Sequence, residues 1–203
     1  MSINPNRELD DILRFYGKKN TFWNRIQFRF LYLFRFILAR LTFFCPIVGL
    51  RVLLTRWRGV CIGKDVYLGH NIDFDYVFPS KITIGDHSGI GSGCSISAHH
   101  SIPMNTPLAQ LFPRTVKPVH IGRGVDCNLH VIIQPGVTIG NYTVVGNGAV
   151  VTRDIPPMTF AAGNPAKPIS DLSEKLRPYI PADEFEALLQ ERRERFNWPP
   201  QGK

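Results

Sequence analysis

The chain lacks the run of about twenty nearly uncharged residues that a membrane-spanning helix needs. Its most apolar stretch, 21–50, is broken by Arg25, Arg29, Arg35 and Arg40. A simple transmembrane span is therefore not expected. Only four cysteines occur, Cys45, Cys61, Cys94 and Cys127, and no pair has the C-x-x-C spacing of a metal or redox site. No glycine-rich turn opens a βαβ unit, which argues against a dinucleotide-binding domain. The first residues, MSINPNRELDD, carry no cleavable signal pattern. The expected compartment is the reducing cytoplasm, up to the inner face of the cytoplasmic membrane. Acidic residues are scarce at the start. Residues 1–60 hold eleven Lys and Arg against three Asp and Glu, whereas residues 61–203 hold thirteen of each. The whole net charge of +8 therefore sits in the first sixty residues. A basic nucleic-acid groove on the rest of the chain is not expected.

What the chain has is a beat of six. Ile121, Cys127, Ile133, Ile139, Val145 and Val151 recur at that interval, each followed four residues later by Val125, Val131, Val137, Thr143, Ala149 and Ile155. Neither helical spacing nor two-residue alternation gives a strict six. A coiled parallel β-helix does, with a short strand and a turn per unit and three units per coil. The beat also runs through Ile62, Leu68 and Phe74, skips over 76–81, and resumes at Ile84, Ile90, Ile96 and Ile102. It vanishes across 103–118, which contains four prolines and reads as an extended loop. Loops of that length tend to be functional or disordered. Cys94 and Cys127 fall on inward beats and read as small core residues.

Three segments follow. Residues 1–59 form a basic, apolar helical segment, with one helix expected from Thr21 to Phe44, before Pro46. Arg25, Arg29 and Arg40 lie within about 60° on that helix, and Arg35 lies off their face. Such a basic–aromatic helix suits a membrane interface, or packing on the protein or another subunit. Residues 60–169 form the β-helix. Residues 170–203 form a helical cap, with an amphipathic helix over 181–196.

Residues 132–169 closely resemble the C-terminal coils of the hexapeptide-repeat acyltransferases. The carrying motifs are PGVTIG at 135–140, VVTRDIP ending at Pro156, and GNPAK at 163–167. The resemblance is to sugar and exopolysaccharide O-acetyltransferases such as galactoside and maltose acetyltransferases, and covers about 60–169. It implies a left-handed β-helix, a homotrimer with sites between subunits, acetyl-CoA as co-substrate, no metal, and a sugar or glycan hydroxyl as acceptor. It also implies a histidine base just before the extended loop, where this chain has His99 and His100. One of the two is the expected base, with His99 the better match, since imidazole titrates near operating pH. His70, His87, His120 and His130 occupy turn or outward positions. The resemblance places the oxyanion donor near Asn128 and Leu129. The resemblance also implies Thr152, Arg153 and Lys167 as coenzyme contacts, small Asn147 and Gly148 leave room for its pantetheine, and Arg114 and Lys117 offer further cations on charge alone. Asp73 and Asp75 match acceptor positions. Asp126 stands where many relatives carry Trp, which makes it an acceptor or base-orienting candidate and leaves the acceptor open. An antibiotic acetyltransferase of the virginiamycin type, a non-catalytic β-helix scaffold, and a β-helix zinc carbonic anhydrase are the competing readings. The histidines do not reproduce the ordered trio of the last.

Overall fold

A computed structural model describes residues 5–102 and 106–196. Short parallel strands stack into three faces of a triangular coil. The first face orders Cys61–Ile62, Ile82–Ile84, Val119–Ile121 and Thr138–Ile139. The second orders Tyr67–Leu68, Gly89–Ile90, Asp126–Cys127, Val144–Val145 and Thr159–Ala162, with Lys167–Asp171 antiparallel at its edge. The third orders Asp73–Phe74, Ser95–Ile96, Ile132–Ile133 and Val150–Val151.

The beat sets the register. Cys127 lies beside Val145, and Ile133 beside Val151, three sixes further on. Ile84, Ile90, Ile96, Ile121, Ile133 and Ile139 all point inward and are buried. Burying each such side chain stabilises the fold by about 1.5–3 kcal/mol. Cys94 and Cys127 lie in the same core, fully enclosed. The turns repeat a left-handed residue every six positions: Gly124, His130, Gly136, Tyr142 and Gly148 all have positive φ. Gly91 answers a different need. A Cβ there would stand 2.5 Å from the Asn128 carbonyl oxygen on the next coil, so only glycine lets the coils close.

Helix α1 spans Pro5–Phe15, α2 spans Phe22–Phe44 and α3 spans Val48–Arg58. Thr21 caps α2 by accepting the Asn24 N–H at 3.3 Å, and Pro46 follows its end. Helix α3 packs against the first strands of the coils, Cys61–Ile62 and Tyr67–Leu68. Its Arg51, buried to 1 % exposure, donates to the carbonyls of Leu68 and Cys45.

At the other end the cap helix is Ala182–Glu191, and Arg192–Phe196 loosens into a π turn. Regular α-helix is thus shorter than the expected 181–196, and residues 197–203 of the cap lie outside the described residues. Buried Arg192 grips both oxygens of Asp171, at 2.9 and 2.7 Å. Burial works to raise the Asp171 carboxyl. The bonds from Arg192 and the Ser173 N–H outweigh it and hold the group down at about 2. A depressed carboxyl stabilises the fold above its unfolded value, about 3.9, and that contribution fades as pH falls through the folded value. Thermal unfolding should therefore show wild type above Asp171→Asn at pH 7. The gap should narrow between pH 4 and pH 2, and a constant gap would contradict the clamp.

Candidate active site

Both breaks in the beat leave the coils at one corner, between the third and first faces. Loop 75–81 joins Asp73–Phe74 to Ile82–Ile84, and loop 97–118 joins Ser95–Ile96 to Val119–Ile121. The second break begins earlier than the expected 103. The coil ends at Ala98, and His99–His100 pair antiparallel with Thr115–Val116. Residues 103–105 of the expected loop lie outside the described residues, and Leu108–Leu111 is a short helix.

Neighbouring strand residues face opposite ways. His99 turns inward and is partly buried, while His100 is exposed. His99 Nδ1 lies 2.5 Å from Asp75 Oδ2. The Asp75 side chain is fully enclosed. Its Oδ1 accepts the N–H groups of Val77 and Phe78 at 2.9 and 2.8 Å, and its Oδ2 accepts that of Ala98 at 2.9 Å. Burial pushes this carboxyl up, but the bonds from His99, Phe78 and Ala98 prevail and hold it below the usual carboxylate range. An ionised Asp75 assigns the imidazole proton to Nδ1 and leaves the Nε2 lone pair free. The Phe78 ring meets the imidazole edge to face, with centroids 5.4 Å apart.

His99 and His100 border a cleft of about 370 Å³ on the outer third face, with Ser95, Lys117, Ile132 and Gln134. A second depression of about 290 Å³ adjoins it, where Arg40 and Phe43 of α2 overhang Asp73 and Tyr76. Asp73 pairs in register with Ser95 of the first cleft, so the two are neighbours along one face. Desolvation raises the Asp73 carboxyl, with Arg58 and Arg40 opposing.

The sequence candidates fall into separate places. Asp73 lines the second depression, beneath α2. Asp75 was expected to meet an acceptor, yet its enclosure and four hydrogen bonds turn it to His99 instead. Asp126 stands exposed on the second face, away from the His99 corner. Asn128, Leu129, Asn147 and Gly148 share the corner between the second and third faces. The Leu129 N–H donates to Asn147 Oδ1 and the Asn128 N–H to the Val145 carbonyl, both at 2.9 Å. Neither expected oxyanion donor is therefore open within one chain. Gly148 borders open space, which leaves room for an extended ligand. Thr152 and Arg153 lie at the His99 corner, two coils on, as the ladder Ser97 to Ile133 and Gln134 to Val151 shows. Lys167 is exposed at the edge of the second face, opposite Ala162. Arg114 does not serve as a coenzyme cation. It is buried, with its Nε 2.8 Å from Asp11 and Nη2 3.3 Å from Glu8. Among the described residues no group of three His, Cys, Asp or Glu is placed to hold a metal ion.

Sequence reasoning missed the layer behind the pair, formed by Tyr16, Arg35 and Phe78. One signal was available. Arg35 stood off the basic face of its helix, and an arginine so placed is turned inward.

No family model matches the chain. Galactoside O-acetyltransferase of Escherichia coli K12 is 34 % identical over 125 residues, which cover 58 % of this chain and 57 % of that relative. The chain thus spans little more than half the length of this curated relative. Among solved structures, a maltose O-acetyltransferase from Clostridium difficile superposes with a TM-score of 0.60 at 25 % identity, over 84 % of this chain and 99 % of that one. A hexapeptide-repeat acetyltransferase from Vibrio cholerae, complexed with acetyl coenzyme A, gives 0.60 at 25 % identity over 71 % of this chain and 88 % of that one. The fold they share with this chain is the left-handed parallel β-helix, an exception to the right-handed rule for parallel crossovers.

Proposed function

We propose that this chain, which belongs with the hexapeptide-repeat acetyltransferases related to galactoside and maltose O-acetyltransferases, moves an acetyl group from acetyl-CoA to a sugar or glycan hydroxyl. The observation that carries the reading is the His99–Asp75 pair at the edge of the third-face cleft. His99 Nε2 takes the acceptor hydroxyl proton as the oxygen attacks the acetyl carbon. The new C–O bond forms, the C–S bond breaks, and His99 returns the proton to the leaving thiolate. Asp75 stays ionised and stabilises the imidazolium between the two transfers. Asp73, in the second depression and in register with Ser95 of the cleft, would accept acceptor hydroxyls.

Within one chain the coenzyme candidates lie apart, with Lys117 lining the cleft. Pantetheine amides have the open corner at Asn147 and Gly148, and its phosphates have Arg153, Lys167 and Lys117 as exposed or cleft-lining cations. The Asn128–Leu129 corner lies across the third face from His99. In a homotrimer a second copy would bring that corner, or another donor, to the His99 edge, so we infer that the site is completed between subunits. The purified protein should release coenzyme A thiol from acetyl-CoA in a panel of pyranosides and oligosaccharides. The product should gain one alkali-labile acetyl group by mass spectrometry. Thiol release that no acceptor stimulates would overturn this reading.

We read residues 1–59 as the segment that brings the coils to an envelope surface, 60–169 as the transferase unit with its loop at 103–118, and 170–203 as a cap. Among the described residues no helix is long and apolar enough to cross a membrane. Yet α2 and α3 expose Phe22, Trp23, Phe30, Phe44 and Trp57, each more than half accessible, with Arg29 and Arg40 alongside. Aromatic rings with arginines suit the headgroup boundary of an anionic leaflet. The protein should co-sediment with vesicles containing phosphatidylglycerol and less with neutral ones. Trp23→Ser with Phe44→Ser should weaken that binding at least about tenfold, from the apolar area lost. Equal binding to neutral vesicles, or no binding, would instead give this face to a neighbouring subunit.

A further inference from the structure

The helices that carry the exposed aromatic face also reach the reacting pair from behind. We propose that Arg35 and Tyr16 are positioning residues that act on His99 through the Val77–Phe78 peptide and Asp75. The proposal rests on the transferase reading above.

The contacts form one continuous path. Arg35 lies on the buried face of α2 with Leu38 and Ala39 and is only 7 % exposed. Its Nη1 donates to the Tyr16 hydroxyl at 2.9 Å and to the Val77 carbonyl at 3.0 Å. The Tyr16 hydroxyl donates to the same carbonyl. That carbonyl belongs to the planar peptide group whose N–H is that of Phe78. The Phe78 N–H in turn donates to Asp75 Oδ1 at 2.8 Å, and Asp75 Oδ2 meets His99 Nδ1. A cation on a carbonyl polarises its peptide, and the N–H at the other end becomes a stronger donor. Arg35 is thus wired, through one peptide plane, to the carboxylate that holds the base.

A second contact runs through the rings. Phe78 stacks on Tyr16 with centroids 5.4 Å apart and planes 16° apart, and its own ring meets the His99 imidazole. Phe15 closes on Phe78 from another side, at 5.8 Å. Tyr16 therefore sets both the peptide and the wall of the imidazole.

The guanidinium also joins the end of α1 to α2 through the Tyr16 hydroxyl. Neither Arg35 nor Tyr16 borders the His99 cleft, so they touch no reacting atom and act only through Asp75 and Phe78.

The test is a double-mutant cycle on full-length protein. It uses acetyl-CoA and whichever saccharide wild type turns over fastest. Arg35→Met should lower kcat about tenfold, the weight of one charge-assisted hydrogen bond, with KM for acetyl-CoA unchanged. Arg35→Lys should recover part of the loss. In an Asp75→Asn background, Arg35→Met should cost less than about twofold, because the path is already cut. Equal factors in both backgrounds would mean a structural role and overturn the proposal. Should Arg35→Met fail to fold, Tyr16→Phe deletes one hydroxyl and should show the same non-additivity at a smaller size. Wild-type kcat in Arg35→Met and Tyr16→Phe, with turnover lost in His99→Ala, defeats the positioning path alone. Turnover retained in His99→Ala defeats the transferase reading beneath it.

Discussion

His99→Ala is expected to reduce acetyl transfer by about 10²–10⁴-fold, the range of a positioned general base. KM for acetyl-CoA should change little, because in the proposed mechanism His99 handles only the transferred proton and other residues hold the coenzyme. The neighbouring His100→Ala should stay within a few-fold of wild type. The two differ by one residue and by direction. His99 turns onto a buried carboxylate, while His100 faces solvent at the cleft margin. Steady-state kinetics on the two variants decides the matter. A large loss in His100→Ala with activity kept in His99→Ala would reverse the assignment.

The second large effect belongs to Asp75. Asp75→Asn nearly preserves shape but removes the charge, and its amide can donate to Nδ1. The imidazole proton is then pushed to Nε2, the atom that must accept. The expected loss in kcat is about 10²-fold or more, since a wrong tautomer disables a histidine base. Asp75→Ala goes further. It leaves the N–H groups of Val77, Phe78 and Ala98 without their acceptor. Each buried donor so stranded costs about 1–3 kcal/mol. Urea unfolding should therefore show Asp75→Ala far less stable than Asp75→Asn. The linkage has a definite sign. A carboxyl held below its usual range stabilises the fold above the unfolded value and loses that contribution as pH falls through the lower folded one. Asp75→Asn should flatten this acid dependence. Equal stability of the two variants would show that the loop does not lean on the carboxylate.

The coils were legible because a stacked core imposes its period on the chain. Every inward Ile, Val or Cys between Ile121 and Ile155 announces its face. The breaks in that period also marked the candidate site's corner, since both loops leave there and both contribute to the His99–Asp75 pair. What could not be read was direction within a break. Asp75 stands one residue past Phe74, where alternation no longer holds, and it looked like an exposed acceptor contact. Only the turn through Val77 and Phe78 encloses it. Helices α1 and α3 were missed for a different reason. Each is only eleven residues long and its buried apolar residues are few, Leu9, Ile12 and Leu13 on α1 and Val52 and Leu54 on α3. Arg114 misled by charge alone, because a cation in a loop near a coenzyme groove is as readily a latch to an acidic helix.

The most direct measurement is a crystal structure of the protein with coenzyme A and an acceptor sugar. The pantetheine should run along the third face past Ile132, with its sulfur and the acceptor hydroxyl both beside His99 Nε2. A sulfur seated on the second face near Asp126, or beside His100 with His99 turned away, would contradict the assignment of the base and of the rail that serves it.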